Sequence, residues 1–335
     1  MNAPQLFPSA TIGPFGRRQK RERGAKIPVT IVTGFLGAGK TTLIRNFLAT
    51  PEGAGTAVVV NEFGAEGIDD ALLRDSCDET VLLGNGCLCC VMRSDLQIAL
   101  RTLVADRTRG AIPDFKRIVI ETSGLADPSP ILQTFSTDRA LGEEFHVEAL
   151  IAVVDAAAGE MTLEWSAEAR KQVILADRLI ITKADLADAS ALVTKLGALN
   201  PRAAVVTAQN GVVEPRHLTD ASADAVSSFV AEASHSDGLT SFVLRPQTLR
   251  WASFSKTMDT LTALRGPDLL RVKGFLDVEG CQGPVLVQFV QHLAHPPVEL
   301  AQWLDADRQS RLVFITRNLP EEKVRALFAA VDALA

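Results

Sequence analysis

Tyrosine is absent from these 335 residues, and aromatics of all kinds make up only 5%. So few flat side chains cannot supply the serial stacking platforms that hold single-stranded nucleic acid. Cysteines number five, too few and too bunched for a disulfide framework. Long apolar runs are missing: none approaches the ~20 residues that cross a bilayer, and no signal-peptide core lies near the N-terminus. These absences predict a cytoplasmic protein with no membrane and no nucleic acid among its partners. Positive charge is also in deficit, with 34 Lys and Arg against 40 Asp and Glu for a net −6. The first 26 residues run against that trend, setting Arg17, Arg18, Lys20, Arg21, Arg23 and Lys26 against Glu22. Their Pro and Gly content predicts a solvated, disordered basic extension over 1–26. The remaining body is more acidic than the whole, which again argues against nucleic acid.

What is present is a regular alternation. The length suggests about two domains. From Ile27 to Ala225, strand-like apolar runs at 28–33, 57–61, 80–83, 116–121, 147–154, 177–182 and 203–206 alternate with helical patterns. The helices are predicted at 40–49, 94–105, 129–135, 166–175 and 187–198. Strands without polar alternation, separated by helices, predict an α/β domain over 27–225: a mostly parallel sheet with helices on both faces. Ligands then gather at the carboxyl ends of the strands. Composition turns to Gly, Ser, Ala, Asp and His beyond residue 208, and a linker is expected at 226–238. Strand (239–245), helix (251–265), strands (269–277, 284–291, 309–316) and a last helix (320–334) predict a smaller α+β domain over 239–335.

Four motifs carry chemistry. Residues 28–42, PVTIVTGFLGAGKTT, fill the P-loop pattern with Gly34, Gly39, Lys40 and Thr41, between a β-branched strand and a helix. Glycines let backbone N–H groups turn toward phosphate oxygens, and the helix N-terminus adds positive potential. Lys40 reaches the β- and γ-phosphates, and the Thr41 hydroxyl can ligate Mg²⁺. The strand Arg117-Ile-Val-Ile-Glu121 ends in a carboxylate, followed by Gly124. Glu121 can hold the Mg²⁺ shell or a catalytic water, and the Gly124 N–H can meet the γ-phosphate. A third strand ends in Thr182-Lys183-Ala184-Asp185. The Asp185 carboxylate can accept both guanine N–H donors while Lys183 lays its stem along the base, which favours GTP over ATP. Thr182 stands where Asn is commoner.

The fourth is Gly84-Asn85-Gly86-Cys87-Leu88-Cys89-Cys90. Thiols in C-x-C-C spacing pair poorly with each other because the rings are strained. They can converge on one soft cation, Zn²⁺, Cu(I) or Co²⁺; core cysteines and a redox pair are the alternatives. Cys77 and Cys281 stand alone and are expected to be small buried hydrophobes. Between P-loop and thiols, Val60-Asn-Glu-Phe-Gly-Ala-Glu-Gly-Ile-Asp69 occupies the position of a nucleotide-sensing switch. Glu62 and Asp69 are its candidate metal or Mg²⁺-water contacts.

In this order, GFLGAGKTTL, NEFGAEGID, NGCLCC, ETSGLADP and TKAD resemble the CobW-like branch of the metal-related GTPases, over residues 28–210. Leu270–Phe275 and Arg311–Ile315 are similar to that family's second domain. The resemblance implies a GTPase metallochaperone that binds zinc, or a related metal such as cobalt, and delivers it to a client metalloprotein. It implies Cys87, Cys89 and Cys90 as metal ligands, with Glu62 a candidate fourth. It assigns Gly37, Ala38, Gly39, Lys40, Thr41 and Thr42 to phosphates and Mg²⁺, and Asp185 to the base. Val60 and Ala65 stand where family members often carry Glu, leaving Glu62, Glu66 or water as substitutes. In the stretch leading into the second domain the histidines are His217 and His235 alone, so large metal storage is not expected; His292 and His295 read as a solvated strand end. Lys40, Glu121 and Asp69 are the expected catalytic groups. With no evident catalytic Gln or arginine finger, turnover is expected to be slow and raised by a partner or by self-association as a homodimer. The alternatives are cobalt delivery in corrin synthesis, maturation of an enzyme of the nitrile hydratase type, a non-hydrolysing metal sensor, and an ATP-dependent kinase.

Overall fold

Among the described residues from Ile27 to Thr207 lie seven strands, β1 (Ile27–Gly34), β2 (Thr56–Asn61), β3 (Val81–Gly84), β4 (Arg117–Thr122), β5 (Phe145–Asp155), β6 (Arg178–Thr182) and β7 (Ala204–Thr207), with helices between most of them. The computed structural model describes residues 26–61, 81–84, 93–201, 203–219, 233–234, 239–290, 293–294, 297–300, 303 and 308–333. The strands lie in the order β3-β2-β4-β1-β5-β6-β7, and every pairing is parallel. From β1 the chain turns first toward β2 and β3, then returns through β4 to build the other half. The carboxyl end of β1 therefore lies at the reversal point, where open α/β sheets bind ligands.

Both faces of this sheet are covered. The helices are α1 (Lys40–Leu48), α2 (Arg93–Thr108), α3 (Ser129–Thr137), α4 (Arg139–Glu144), α5 (Gly159–Trp165), α6 (Ala167–Leu175), α7 (Ser190–Leu199) and α8 (Arg216–Thr219). Leu43, Ile44 and Phe47 of α1 pack with Val32, Val119, Ile151 and Ile180 on one face. Leu163, Val173, Leu192 and Leu196 of α5 to α7 pack with Ala152, Val154, Leu179 and Ile181 on the other. Neighbouring residues on β5 and β6 thus feed opposite cores, which is why these strands read as unbroken apolar runs.

The helix α8 has an unusual anchor. A short helix leaves its last four carbonyls without intrahelical partners. Arg178 donates to the carbonyls of Arg216 and His217, Thr30 to Leu218 at 2.9 Å and Arg117 to Thr219 at 3.3 Å. Burial lowers the Arg117 pKa, and Glu148 opposes that shift.

The chain divides into two compact units, the first running from Lys26 to Ser228. In the second, β8 (Ala233–Ser234), β9 (Leu239–Leu244), β10 (Leu269–Leu276), β11 (Val285–Val290), β12 (Leu293–Ala294), β13 (Val298–Glu299) and β14 (Arg311–Arg317) form an antiparallel sheet. Its order is β12-β11-β10-β14-β9-β8, with β13 on β11. Helices α9 (Trp251–Arg265) and α10 (Glu321–Asp332) supply Trp251, Phe254, Met258 and Val324 to its core. Phe242 and Phe314 stack there at 5.3 Å. Gly274 is obligatory, because a Cβ would lie 1.9 Å from the Arg311 carbonyl oxygen.

The predicted α/β unit with a smaller α+β unit is borne out. Three short helices were not expected. Helix α4 is set by Asp138, which accepts from the N–H groups of Ala140 and Leu141; α5 and α8 are too short to show periodicity. The helix expected from 166 begins one residue later because Ser166 is its cap, accepting from Ala169 N–H at 3.1 Å. The expected linker contributes β8, held by pairing to β9 rather than by apolar content. Cys281 is half-buried against the second core, not fully enclosed; Cys77 lies outside the described residues.

Candidate nucleotide-binding site

The P-loop runs from the end of β1 into α1. Gly37 (φ 74°) and Gly39 (φ 85°) take left-handed conformations, which an L side chain adopts only with strain. Gly39 caps α1 without a side chain, so the first-turn N–H groups keep the positive end of the helix available to an anion. Lys40 is 6% exposed and donates to the carbonyls of Gly34 at 3.0 Å and Phe35 at 3.3 Å. Its ammonium therefore stands across the loop's mouth. Ala38 is buried beneath, while Gly37 and Thr42 are exposed.

Two strand ends meet this loop. From β4, Glu121 accepts at Oε1 from the Thr41 hydroxyl at 2.7 Å, so a hydroxyl and a carboxylate converge, the hard oxygen donors that suit Mg²⁺. Three residues on, Gly124 lies against the P-loop, where an added Cβ would come within 2.6 Å of the Leu36 nitrogen. From β6, Thr182 donates to the Ala38 carbonyl at 2.7 Å. Threonine thus makes a direct tie between the end of β6 and the P-loop.

The next residue, Lys183, has φ 58° and pairs with Asp155 at the end of β5. Burial opposes ionisation of Asp155, but the hydrogen bond from Lys183 and the N–H groups of Ala157 and Ala158 outweigh it, so its pKa falls below the ordinary aspartate value. Asp185 sits exposed in the following turn, closed by Leu186 N–H to the Lys183 carbonyl at 2.9 Å. Beside it, Ala208 N–H donates to the Ile181 carbonyl at 2.7 Å. The tight turn of Asn210 (φ 51°) and Gly211 (φ 72°) is fixed to α1 by Asn46 Nδ2, 2.9 Å from the Gly211 oxygen.

Lys40, Thr41, Glu121, Gly124, Thr182, Lys183 and Asp185 are thereby gathered at the carboxyl edge of one sheet, with Gly37, Ala38, Gly39 and Thr42 in the loop itself. Glu62, Asp69, Cys87, Cys89 and Cys90 lie outside the described residues. Sequence reasoning missed Asp155, Asn46 and Gln172. Asp155 carried a usable signal, since it terminates a buried strand at the ligand edge. Gln172, buried in α6, carried none.

Fold and loops define a P-loop nucleoside-triphosphate-binding protein. The CobW/HypB/UreG nucleotide-binding domain model matches residues 28–207, and the cobalamin synthesis protein CobW C-terminal domain model matches 239–332. The chain belongs to this family, as its motifs implied. It is 36% identical to the zinc chaperone YjiA of Escherichia coli K12, covering 91% of this chain and 98% of that one. It is 33% identical to the zinc chaperone CobW of Pseudomonas aeruginosa, covering 90% of each. Among solved structures, the Zn(II)-bound YjiA GTPase from E. coli superposes with a TM-score of 0.67 at 31% identity, over 91% of this chain and 99% of that one.

Proposed function

We propose that this chain is a GTP-hydrolysing metallochaperone that takes zinc on Cys87, Cys89 and Cys90 and hands it to a client metalloprotein. The observation that carries the nucleotide half is the convergence on one P-loop of Glu121, through Thr41, and of the end of β6, through Thr182. The metal half is supported by three neighbouring thiols in chain order with those motifs and by full-length relatives named zinc chaperones. Glu62 is the candidate fourth ligand.

Lys40, buried and already facing the loop carbonyls, is placed to exchange those partners for the β- and γ-phosphate oxygens. It then neutralises charge that grows in the transition state. Thr41 and Glu121 would hold Mg²⁺, which when bound offsets further phosphate charge. The Thr41–Glu121 contact orients both groups before substrate arrives, so little reorganisation remains. Glu121 or Asp69 holds the attacking water. Gly124 offers its N–H to the γ-phosphate, and Asp185 with Lys183 selects guanine. Turnover is slow and is raised by the client or by a second copy in a homodimer. The protein works in the cytoplasm, without membrane or nucleic acid; no helix among the described residues is long and apolar enough to cross a bilayer.

Elemental analysis of zinc-loaded protein, with phosphate release from GTP and ATP, tests this. About one zinc per chain is expected, lost in Cys89→Ala, with GTP the better substrate. Zinc content indifferent to Cys89→Ala, or a preference for ATP, would refute it.

A further inference from the structure

The loop after β4, Ser123 to Pro128, carries Gly124 against the P-loop; its backbone closes one turn, Ala126 N–H to the Ser123 carbonyl at 3.0 Å, and joins the next helix through Leu132 N–H to the Pro128 carbonyl at 3.1 Å. Two consecutive residues of α6 add side-chain anchors. Gln172 is 1% exposed, and its Nε2 donates to the carbonyls of both Gly124 and Ala126 at 3.1 Å. Lys171 forms an ion pair with Asp127, and Asp127 in turn accepts from Ser129 N–H at 2.9 Å, at the start of α3. One buried amide bridging two carbonyls that lie two residues apart fixes the intervening peptide planes. The Gly124 N–H belongs to the preceding Ser123–Gly124 peptide, whose carbonyl accepts from Ala126 N–H, so Gln172 steadies that N–H from both sides, through Gly124 itself and through Ala126. Burial of an amide is costly unless it is bonded, and the Nε2 bonds that offset the cost for Gln172 go to this loop.

We propose that Gln172 and Lys171 are positioning residues that hold the post-β4 loop on the P-loop in readiness for the γ-phosphate, so that they set the preference for GTP over GDP. The inference rests on the nucleotide reading above and extends it to a helix that meets no phosphate. A diphosphate lacks the group that the loop would meet, so its affinity is indifferent to the loop's position. The triphosphate must order the loop itself when the two anchors are gone.

The test is equilibrium binding of fluorescent GDP and of a fluorescent, non-hydrolysable GTP analogue in Mg²⁺, to full-length protein. Gln172→Met conserves volume while removing both N–H donors. It is expected to weaken the triphosphate about tenfold, the scale of two lost hydrogen bonds, with GDP changed less than twofold. Lys171→Met should shift the same ratio in the same direction, and Lys171→Arg should restore it. Lys171 is less enclosed than Gln172, with 23% of its side chain exposed, so this pair carries the test if Gln172→Met folds poorly. Equal weakening of both nucleotides, or an unchanged ratio in both α6 variants, overturns the inference. Lys40→Ala separates the two levels. It should lose both nucleotides; if it binds both normally, the nucleotide reading itself fails and this inference falls with it. If it loses both while the α6 variants keep the wild-type ratio, the positioning role alone is wrong.

Discussion

The two ends of the parallel sheet bury charged residues for opposite purposes. At the carboxyl ends, Lys40 and Glu121 are 6% and 2% exposed, yet they border a loop whose Leu36 and Gly37 stand in solvent. At the amino ends, Arg178 is equally enclosed, at 2%, but it and Arg117, with Thr30, spend their donors on the carbonyls of α8. The first set leaves room for a ligand; the second closes a helix end. Burial of charge alone therefore does not mark a functional residue. Strand direction and the openness of the neighbouring loop do.

Substitutions at the two ends should separate accordingly. The largest effect is expected at the carboxyl end, where Lys40→Ala should cut phosphate release from GTP by about a hundredfold, since a buried cation is lost from the transferring phosphoryl group. Nearly as large, but in stability, is Arg178→Leu. Leaving buried carbonyls without donors should cost roughly 3 kcal/mol in urea unfolding, with turnover per folded molecule unchanged. An activity loss from Arg178→Leu in fully folded protein would erase the distinction drawn here. A more selective change is Asp185→Asn, which should weaken GTP more than tenfold and favour xanthosine triphosphate, because charged hydrogen bonds to the base are exchanged. Competition binding with both nucleotides reads this directly.

The smallest effect concerns acid. The folded-state pKa of Asp155 is depressed, so its pair with Lys183 contributes stability that is complete above the ordinary value of 3.8 and is lost as pH falls through the lowered one. Comparing acid unfolding of wild type and Asp155→Asn should show the wild type losing part of its advantage below that value, and the variant showing no such step.

Much of this arrangement was legible before any coordinates. Short apolar runs with β-branched residues, such as Val29–Thr33 and 147–154, become strands because both sheet faces are buried. The 3.6-residue pattern of Trp251–Arg265 is long enough to be unambiguous. The P-loop, Glu121 and the Thr182–Asp185 turn were readable because backbone geometry and phosphate chemistry dictate residue types at fixed spacing. Other parts were not. Gln172 touches Gly124 across 48 residues of chain, a tertiary contact with no local signature. Likewise, α8 is too short for periodicity and owes its end to side chains from β1, β4 and β6. Thr182 looked like a weakened match to the usual Asn, whereas its hydroxyl makes the P-loop bond itself.

If the segment Val60 to Asp69, which lies in the chain between the P-loop and Cys87, Cys89 and Cys90, senses the nucleotide, then the guanine nucleotide and the proposed thiol-bound zinc are coupled. Zinc affinity measured by chelator competition, with GDP and with a non-hydrolysable GTP analogue, tests it most directly, with Cys89→Ala as the thiol-deficient control. The account predicts constants at least tenfold apart, about 1.4 kcal/mol of coupling that must also appear as a zinc-dependent shift in nucleotide affinity. Identical zinc constants in the two nucleotide states would contradict it.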